Sequence, residues 1–342
     1  MRIAKISPSM HEPPEPLSRA AQRMFGVTGF VSVLTEPGDN RTQVFCRYYH
    51  VRRVAWLSHC IAQVHRDGPG DLNVLNWFAW AHDLNRWPFA HNSERGLFDQ
   101  AADIPRYLQA ESIGAPTEWI DQLVAIVNKE YNFLGREASI VLLADMVTGF
   151  LEDPIWLMAA LNISPAVVPD EVAEYLGLPI GDPTFLAEML TTLQSFQPDV
   201  RASDFVTSFD QIFAQLAQDF VNRQLLTADC CDASEILHSA PFQRSRELIK
   251  EQFMRGVIFP YNNVKISKGP TLKTNVILPL IKRLPPDLAT PMTRMTDASL
   301  IQEALKLSII SEANLKLLRP NLEYMEQEEP ENSFTTYMRA RS

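Results

Sequence analysis

Apolar residues recur three and four positions apart along most of the chain, and the strict alternation of a half-buried strand is scarce, so the pattern predicts an almost wholly helical fold. The clearest stretch runs from Gln43 to His65, with Val44, Val54, Leu57, Ile61 and Val64 as its apolar positions, and it stops before Gly68-Pro69-Gly70. Asp71 is placed to cap a second helix extending through Arg86. Pro88 interrupts that helix, and Asn92-Ser93-Glu94 reads as the cap of a short successor. The same spacing predicts helices over Thr117 to Tyr131, Arg136 to Asp153, Pro183 to Leu193, Ala202 to Leu226, Pro241 to Arg255, Thr271 to Leu284 and Ala298 to Leu318. The one β element expected is a short hairpin near residues 29–45, turning at Pro37-Gly38-Asp39-Asn40. Pro-rich breaks separate several of these helices, none long enough to prove a domain boundary; the expected organisation is a core over residues 1–160, a helical C-terminal portion over 161–326 packed on it, and a polar, frayed tail over 327–342.

Composition narrows the function classes. The chain has 342 residues, 46% hydrophobic and 21% charged, which is ordinary for a globular protein with room for a large core. A formal net charge of -10 leaves no overall cationic footprint for nucleic acid or an anionic membrane, so any phosphate site must be local. Cys46, Cys60, Cys230 and Cys231 form no C-x-x-C pair and read as reduced, buried thiols. Met1 to Glu15 has scattered charges and prolines in place of an apolar leader, and no stretch approaches the roughly 20 apolar residues of a membrane span. A cytoplasmic protein is the expectation; self-association is left open.

The chemistry concentrates after Trp77-Phe78-Ala79-Trp80-Ala81, where the chain runs into a core and then presents His82-Asp83, with His91 and Glu94 close behind. Charged groups entering a core need a metal or a matching ion. A second acidic signal is Asp145, four residues before Gly149 and eight before Asp153, so two carboxylates and a glycine notch share one helical face. His50 lies on the face of Val54, Leu57 and Ile61 and is predicted to point inward. His50, His82, Asp83 and Asp145 make a two-imidazole, two-carboxylate set. Because neighbouring helical residues diverge, His82 and Asp83 share an ion only if it sits astride their helix. Such mixed donors suit one Mn, Fe, Co, Ni or Zn ion per chain, with Mg as the harder alternative. A bound ion with an open position activates water and polarises a phosphoryl oxygen. His91 and Glu94 are placed to move a proton to a leaving group, Glu94 orienting the imidazole.

These residues resemble the HD-domain metal phosphohydrolases, whose ligands follow the order His, His-Asp, Asp, and most closely the deoxynucleoside triphosphate triphosphohydrolase (dGTPase-like) branch. Its pattern, close to H-D-[IL]-G-H-x-P-F-x-H-x-x-E, is similar to His82-Asp83-Leu84-Asn85-Arg86-Trp87-Pro88-Phe89-Ala90-His91-Asn92-Ser93-Glu94. Arg47 and His50 match an R-x-x-H, Ala144-Asp145 with Asp153 matches A-D-D-I-x-Y-x-x-x-D, and Arg23-Met24-Phe25-Gly26-Val27-Thr28 is similar to R-L-x-G-V-T. The likeness covers roughly residues 15–155.

The resemblance implies an all-α HD-domain helical bundle with additional C-terminal helices. It implies His50, His82, Asp83 and Asp145 as metal ligands, Arg47 on phosphate, His91 as general acid, and release of a nucleoside and tripolyphosphate by water attack at the α-phosphorus. The chain departs from the pattern at Arg86, where the family has a histidine; a permanent cation can hold phosphate but exchanges no proton near neutral pH. Gly29 and Gly149 replace a glutamine and a tyrosine that commonly touch the sugar, which implies added room for a bulkier sugar or base. The expected function is therefore a metal-dependent phosphohydrolase of a nucleotide, foremost a nucleoside triphosphate, with Arg47, Arg86, Asp153, Gly29 and Gly149 around the substrate. The alternatives are another HD-type hydrolase of nucleoside monophosphates or cyclic nucleotides, an HD-type iron oxygenase, or a non-catalytic nucleotide sensor.

Overall fold

A computed structural model describes residues 11–29, 45–94, 96–160, 162–175, 184–197, 199–225, 232–258, 276–283 and 291–312. The chain is all-α. Its helices are α1 (Glu15–Arg23), α2 (Arg47–Val64), α3 (Leu72–Ala81), α4 (His91–Glu94), α5 (Gln100–Ala110), α6 (Thr117–Asn128), α7 (Arg136–Ala160), α8 (Asp170–Tyr175), α9 (Thr184–Ser195), α10 (Ala202–Phe220), α11 (Ala233–His238), α12 (Ala240–Ser245), a wide-turned π-helix (Arg246–Ile258), α13 (Leu278–Arg283) and α14 (Asp297–Lys306). No strand forms among the described residues. The expected hairpin falls on residues 30–44, outside them, and its flanks Thr28 and Cys46 make a single antiparallel bridge. No described helix is long and apolar enough to cross a membrane.

Helices α2 and α7 lie against each other at the centre, with α3 across both. Nearly every side of α2 is buried, including Arg47, His50 and Arg53, so its polar side chains must find partners inside the protein. On α10, Phe205, Phe209, Phe213 and Phe220 form a buried stripe; Phe213 meets Trp56 of α2, and Phe209 lies beneath the Arg53 guanidinium. One hydrophobic core runs from Leu17 to Ile258 and is shared by helices on both sides of residue 160. A smaller core joins Trp87, Phe89 and Leu97 to Leu280, Met292 and Leu300 near the C-terminal end of the described chain.

Helix α3 begins where expected, with the Asp71 carboxylate accepting from the Asn73 and Val74 amides, but it ends at Ala81 instead of Arg86. The following turn, Leu84 to Ala90, is clasped from a distance. Arg23 donates to the carbonyls of Leu84, Arg86 and Met295, and Asp297 accepts from the Phe89 and Thr28 amides at 2.7 and 3.0 Å. Phe89 and Ala90 follow Pro88 with φ of 61° and 45°, a left-handed bend that reverses the chain into α4. The clasp and the packing of Phe89 in the smaller core hold that bend.

Candidate metal centre

The end of α3 explains how adjacent residues reach one site. His82 and Asp83 sit where the helix gives way to a turn, so both side chains face α2 and α7, and an ion need not sit astride a continuous helix. His82 Nδ1 donates to the Ala79 carbonyl at 2.8 Å, and His50 Nδ1 donates to Glu152 Oε2 at 3.0 Å. A carbonyl and a carboxylate only accept, and a neutral imidazole has one proton, so both Nε2 atoms are left as lone-pair acceptors. They converge on a third acceptor, Asp145 Oδ1, at 3.2 Å from His50 and 3.6 Å from His82.

Three acceptors drawn together need a proton or a metal cation between them. The ligand atoms of His50, His82 and Asp145 all lie within 4.8 Å of one another. An ion with bonds of about 2.1 Å separates its ligands by roughly 3.0–3.5 Å, close to the observed spacing. His82 Nε2 is buried with no hydrogen-bond partner, an arrangement that costs about 1–3 kcal/mol unless something binds it. The same carboxylates draw positive charge to this point: burial alone would lower the His50 pKa, but Glu152 and Asp145 raise it to about 9, so without an ion His50 carries a second proton on Nε2, which an ion would displace. The two imidazoles likewise outweigh burial and hold the Asp145 carboxyl well below the usual range. The residues present fit a divalent ion.

Asp83 stands slightly apart. Its Oδ2 lies 3.6 Å from His82 Nε2 and 3.9 Å from His50 Nε2, and it also accepts from Arg47 Nη1 at 2.7 Å. Oδ1 accepts from Arg86 Nε at 2.8 Å. These two guanidiniums outweigh burial and hold the Asp83 carboxyl far below its ordinary pKa. Arg86 also binds Glu94 Oε2 at 2.7 Å, while Glu94 Oε1 takes the Trp87 amide at 2.8 Å. Arg86 thus braces Asp83 against α4, and Glu94 serves the turn. The His91 side chain lies outside the described set, so its orientation by Glu94 does too.

The donors open onto a cavity of about 380 Å³, a size typical of small-molecule sites. Arg47, Arg86, Lys129, Arg246, Lys250 and Arg255 line it, against the carboxylates Asp83, Asp145, Asp153 and Glu251. With neutral histidines the lining is net positive in a chain of net charge -10. Arg47 Nε and Nη2 are buried without partners, donors suited to an anion's oxygens. The cavity is thus a local concentration of positive charge in an acidic chain.

The two glycines do not provide the room expected of them. A Cβ at Gly29 would lie 2.9 Å from the Phe45 carbonyl oxygen, and Gly29 is not among the residues lining the cavity; the glycine there permits close backbone approach. Gly149 does line the cavity, but the Lys250 ammonium stands 3.5 Å from where its Cβ would be, bonded to the Gly149 carbonyl at 3.2 Å and to Asp153 Oδ2 at 3.0 Å. The notch holds a lysine, and Asp153 is its counter-ion.

Sequence reasoning missed the layer behind His50. Glu152 Oε1 accepts from Arg53 Nη1 at 3.1 Å, Arg53 Nε donates to Asp210 Oδ1 at 2.7 Å, and Arg52 donates to Asp210 Oδ2. Part of this was readable: Arg47, His50 and Arg53 are three apart on one helical face, and Glu152 is seven after Asp145. Lys129 carried no local signal.

No family model matches the chain, and no curated protein matches it, so the site's chemistry has to be argued from its donors and their geometry.

Proposed function

We propose that the chain is a metal-dependent phosphohydrolase of the HD type acting on a nucleotide, with a nucleoside triphosphate as substrate and nucleoside and tripolyphosphate as products. The observation that carries this reading is the meeting of two Nδ1-pinned imidazoles and Asp145 in the lining of a cationic cavity. His50, His82 and Asp145 would hold the ion, with Asp83 as the fourth donor. When bound, a divalent ion lowers the pKa of a coordinated water and neutralises phosphoryl charge.

The chain's own residues supply the rest. Arg47 offers its unpartnered Nε and Nη2 to phosphate oxygens, and Lys129 and Arg246 add positive charge to the cavity lining. Arg86, bonded to Asp83 and Glu94, keeps Asp83 ionised and turned toward the two Nε2 atoms. His91, carried on α4, is assigned the proton for the leaving oxygen.

The test is a product screen over common nucleotides that separates tripolyphosphate, pyrophosphate and orthophosphate, run beside metal analysis of the wild type and of the His82→Ala, Asp83→Ala double variant. One ion per chain and tripolyphosphate release, both lost in the variant, are expected. Turnover that survives the double substitution would sink the reading. A second reading, oxygenation by a mononuclear iron, is favoured by the two-imidazole, one-carboxylate core itself. Oxygen-dependent turnover with no phosphate product would select it.

A further inference from the structure

We propose that Glu152 is a positioning residue: it fixes His50 as the Nδ1–H tautomer, leaving Nε2 for the metal ion, and the buried Arg53–Asp210 pair holds Glu152 to that task. The inference rests on the reading of His50, His82 and Asp145 as metal ligands.

Glu152 is placed behind the site and does not line the cavity. Its side chain is 3% exposed, and each oxygen has one partner: Oε2 faces His50 Nδ1 at 3.0 Å, and Oε1 faces Arg53 Nη1 at 3.1 Å. Arg53 is wholly buried and passes its second contact to Asp210, which pairs in turn with Arg52. The result is a row of alternating charge from the metal ligand on α2, through α7, back to α2 and on to α10. A buried Glu–Arg pair needs only one carboxylate oxygen. The other is aimed at the imidazole.

The polarity of the row dictates the tautomer. Arg53 only donates, so whatever occupies position 152 must turn an acceptor toward it. A carboxylate then has a second acceptor for His50 Nδ1–H. A glutamine does not: with its carbonyl on Arg53, its amide hydrogens face His50 Nδ1, which must accept, and the imidazole proton moves to Nε2. Glu152→Gln is nearly isosteric yet places a proton on the ligating atom.

The experiment titrates Co²⁺ alone into wild type and the Glu152→Gln, Asp210→Asn and His82→Ala variants, followed by calorimetry and visible d–d absorption, with circular dichroism confirming the fold. Glu152→Gln should weaken Co²⁺ binding by about 10- to 100-fold, the usual cost of losing a carboxylate behind a histidine ligand. Asp210→Asn, one link further out, should weaken it less, and His82→Ala should abolish it. Wild-type affinity in folded Glu152→Gln, with His82→Ala still inactive in binding, overturns the role of Glu152 alone. Absence of Co²⁺ binding by the wild type overturns the metal reading and this proposal with it. Should Glu152→Gln fail to fold, ¹⁵N NMR of the Zn²⁺-loaded wild type decides: a proton on His50 Nδ1 supports the proposal, and one retained on Nε2 overturns it.

Discussion

Lys250 and Asp153 show how one missing side chain redirects its neighbours. Burial raises the Asp153 carboxyl above its ordinary pKa, the adjacent Glu152 adds to this, and the Lys250 ammonium opposes both. Lys250→Met should destabilise the fold by about 1–3 kcal/mol, below the range for fully buried pairs because Lys250 is 27% exposed. Adding Asp153→Asn should recover part of that loss, and urea midpoints measure both steps. Gly149→Ala, by contrast, should stabilise α7 by about 0.5–1 kcal/mol, since the new Cβ meets Lys250 only at ordinary contact distance; a lowered midpoint would show the notch to be tighter than described. At this scale the sequence exposed the groups that carry local spacing, His82-Asp83 and Arg47–His50, and left Arg53 behind them unread. It hid Lys250 and Asp210, whose roles come from helices that meet α7 and α2 only after folding.

Among the elements, the turn after α3 is the one on which the site depends most. Arg23 satisfies two of its carbonyls and ties it to Met295. Arg23→Gln should raise amide exchange over residues 84–90 and lower turnover while leaving metal stoichiometry intact; unchanged exchange would show the turn to be held by its apolar packing alone. Asp297 adds a pH dependence. Burial pushes its carboxyl up to about 6, against the pull of the Phe89 and Thr28 amides. Between about pH 4 and pH 6 the native state therefore binds more protons than the unfolded chain, and stability falls as pH rises through that window, by about 2–3 kcal/mol in all. Urea unfolding at several pH values tests this slope, which Asp297→Asn should flatten. Helices α6, α9 and α10 were legible because each presents an apolar stripe at helical period, and α2 and α7 because apolar residues recur three and four apart along them. The early end of α3 was not, since it is set by the Arg23 and Asp297 clasp. Nor was the run of α7 through Pro154 to Ala160, where burial of Ile155, Trp156 and Leu157 outweighs the lost backbone bond.

For the molecule as a whole, a cationic cavity in a chain of net charge -10 would make the proposed binding of an anionic ligand a local electrostatic event. Tripolyphosphate should raise the Tm, equivalent to about 2.7 kcal/mol at a hundredfold excess over Kd, and the shift should shrink with added salt. Replacing Lys129 and Arg246 together by Gln should remove most of it, as thermal scans with and without tripolyphosphate would reveal. The all-α architecture was readable from periodicity; the pairing of residues 87–97 with 276–310 was not, because two short apolar runs far apart carry no mark of each other. That pairing sets an order of events during synthesis. Until the ribosome reaches Asp297 the nascent protein already contains every residue assigned to the proposed ion and yet lacks the group that clasps the turn, so the corner bearing His91 is finished last, and premature termination before residue 297 should yield fragments that keep the proposed ion site but lose the proposed turnover.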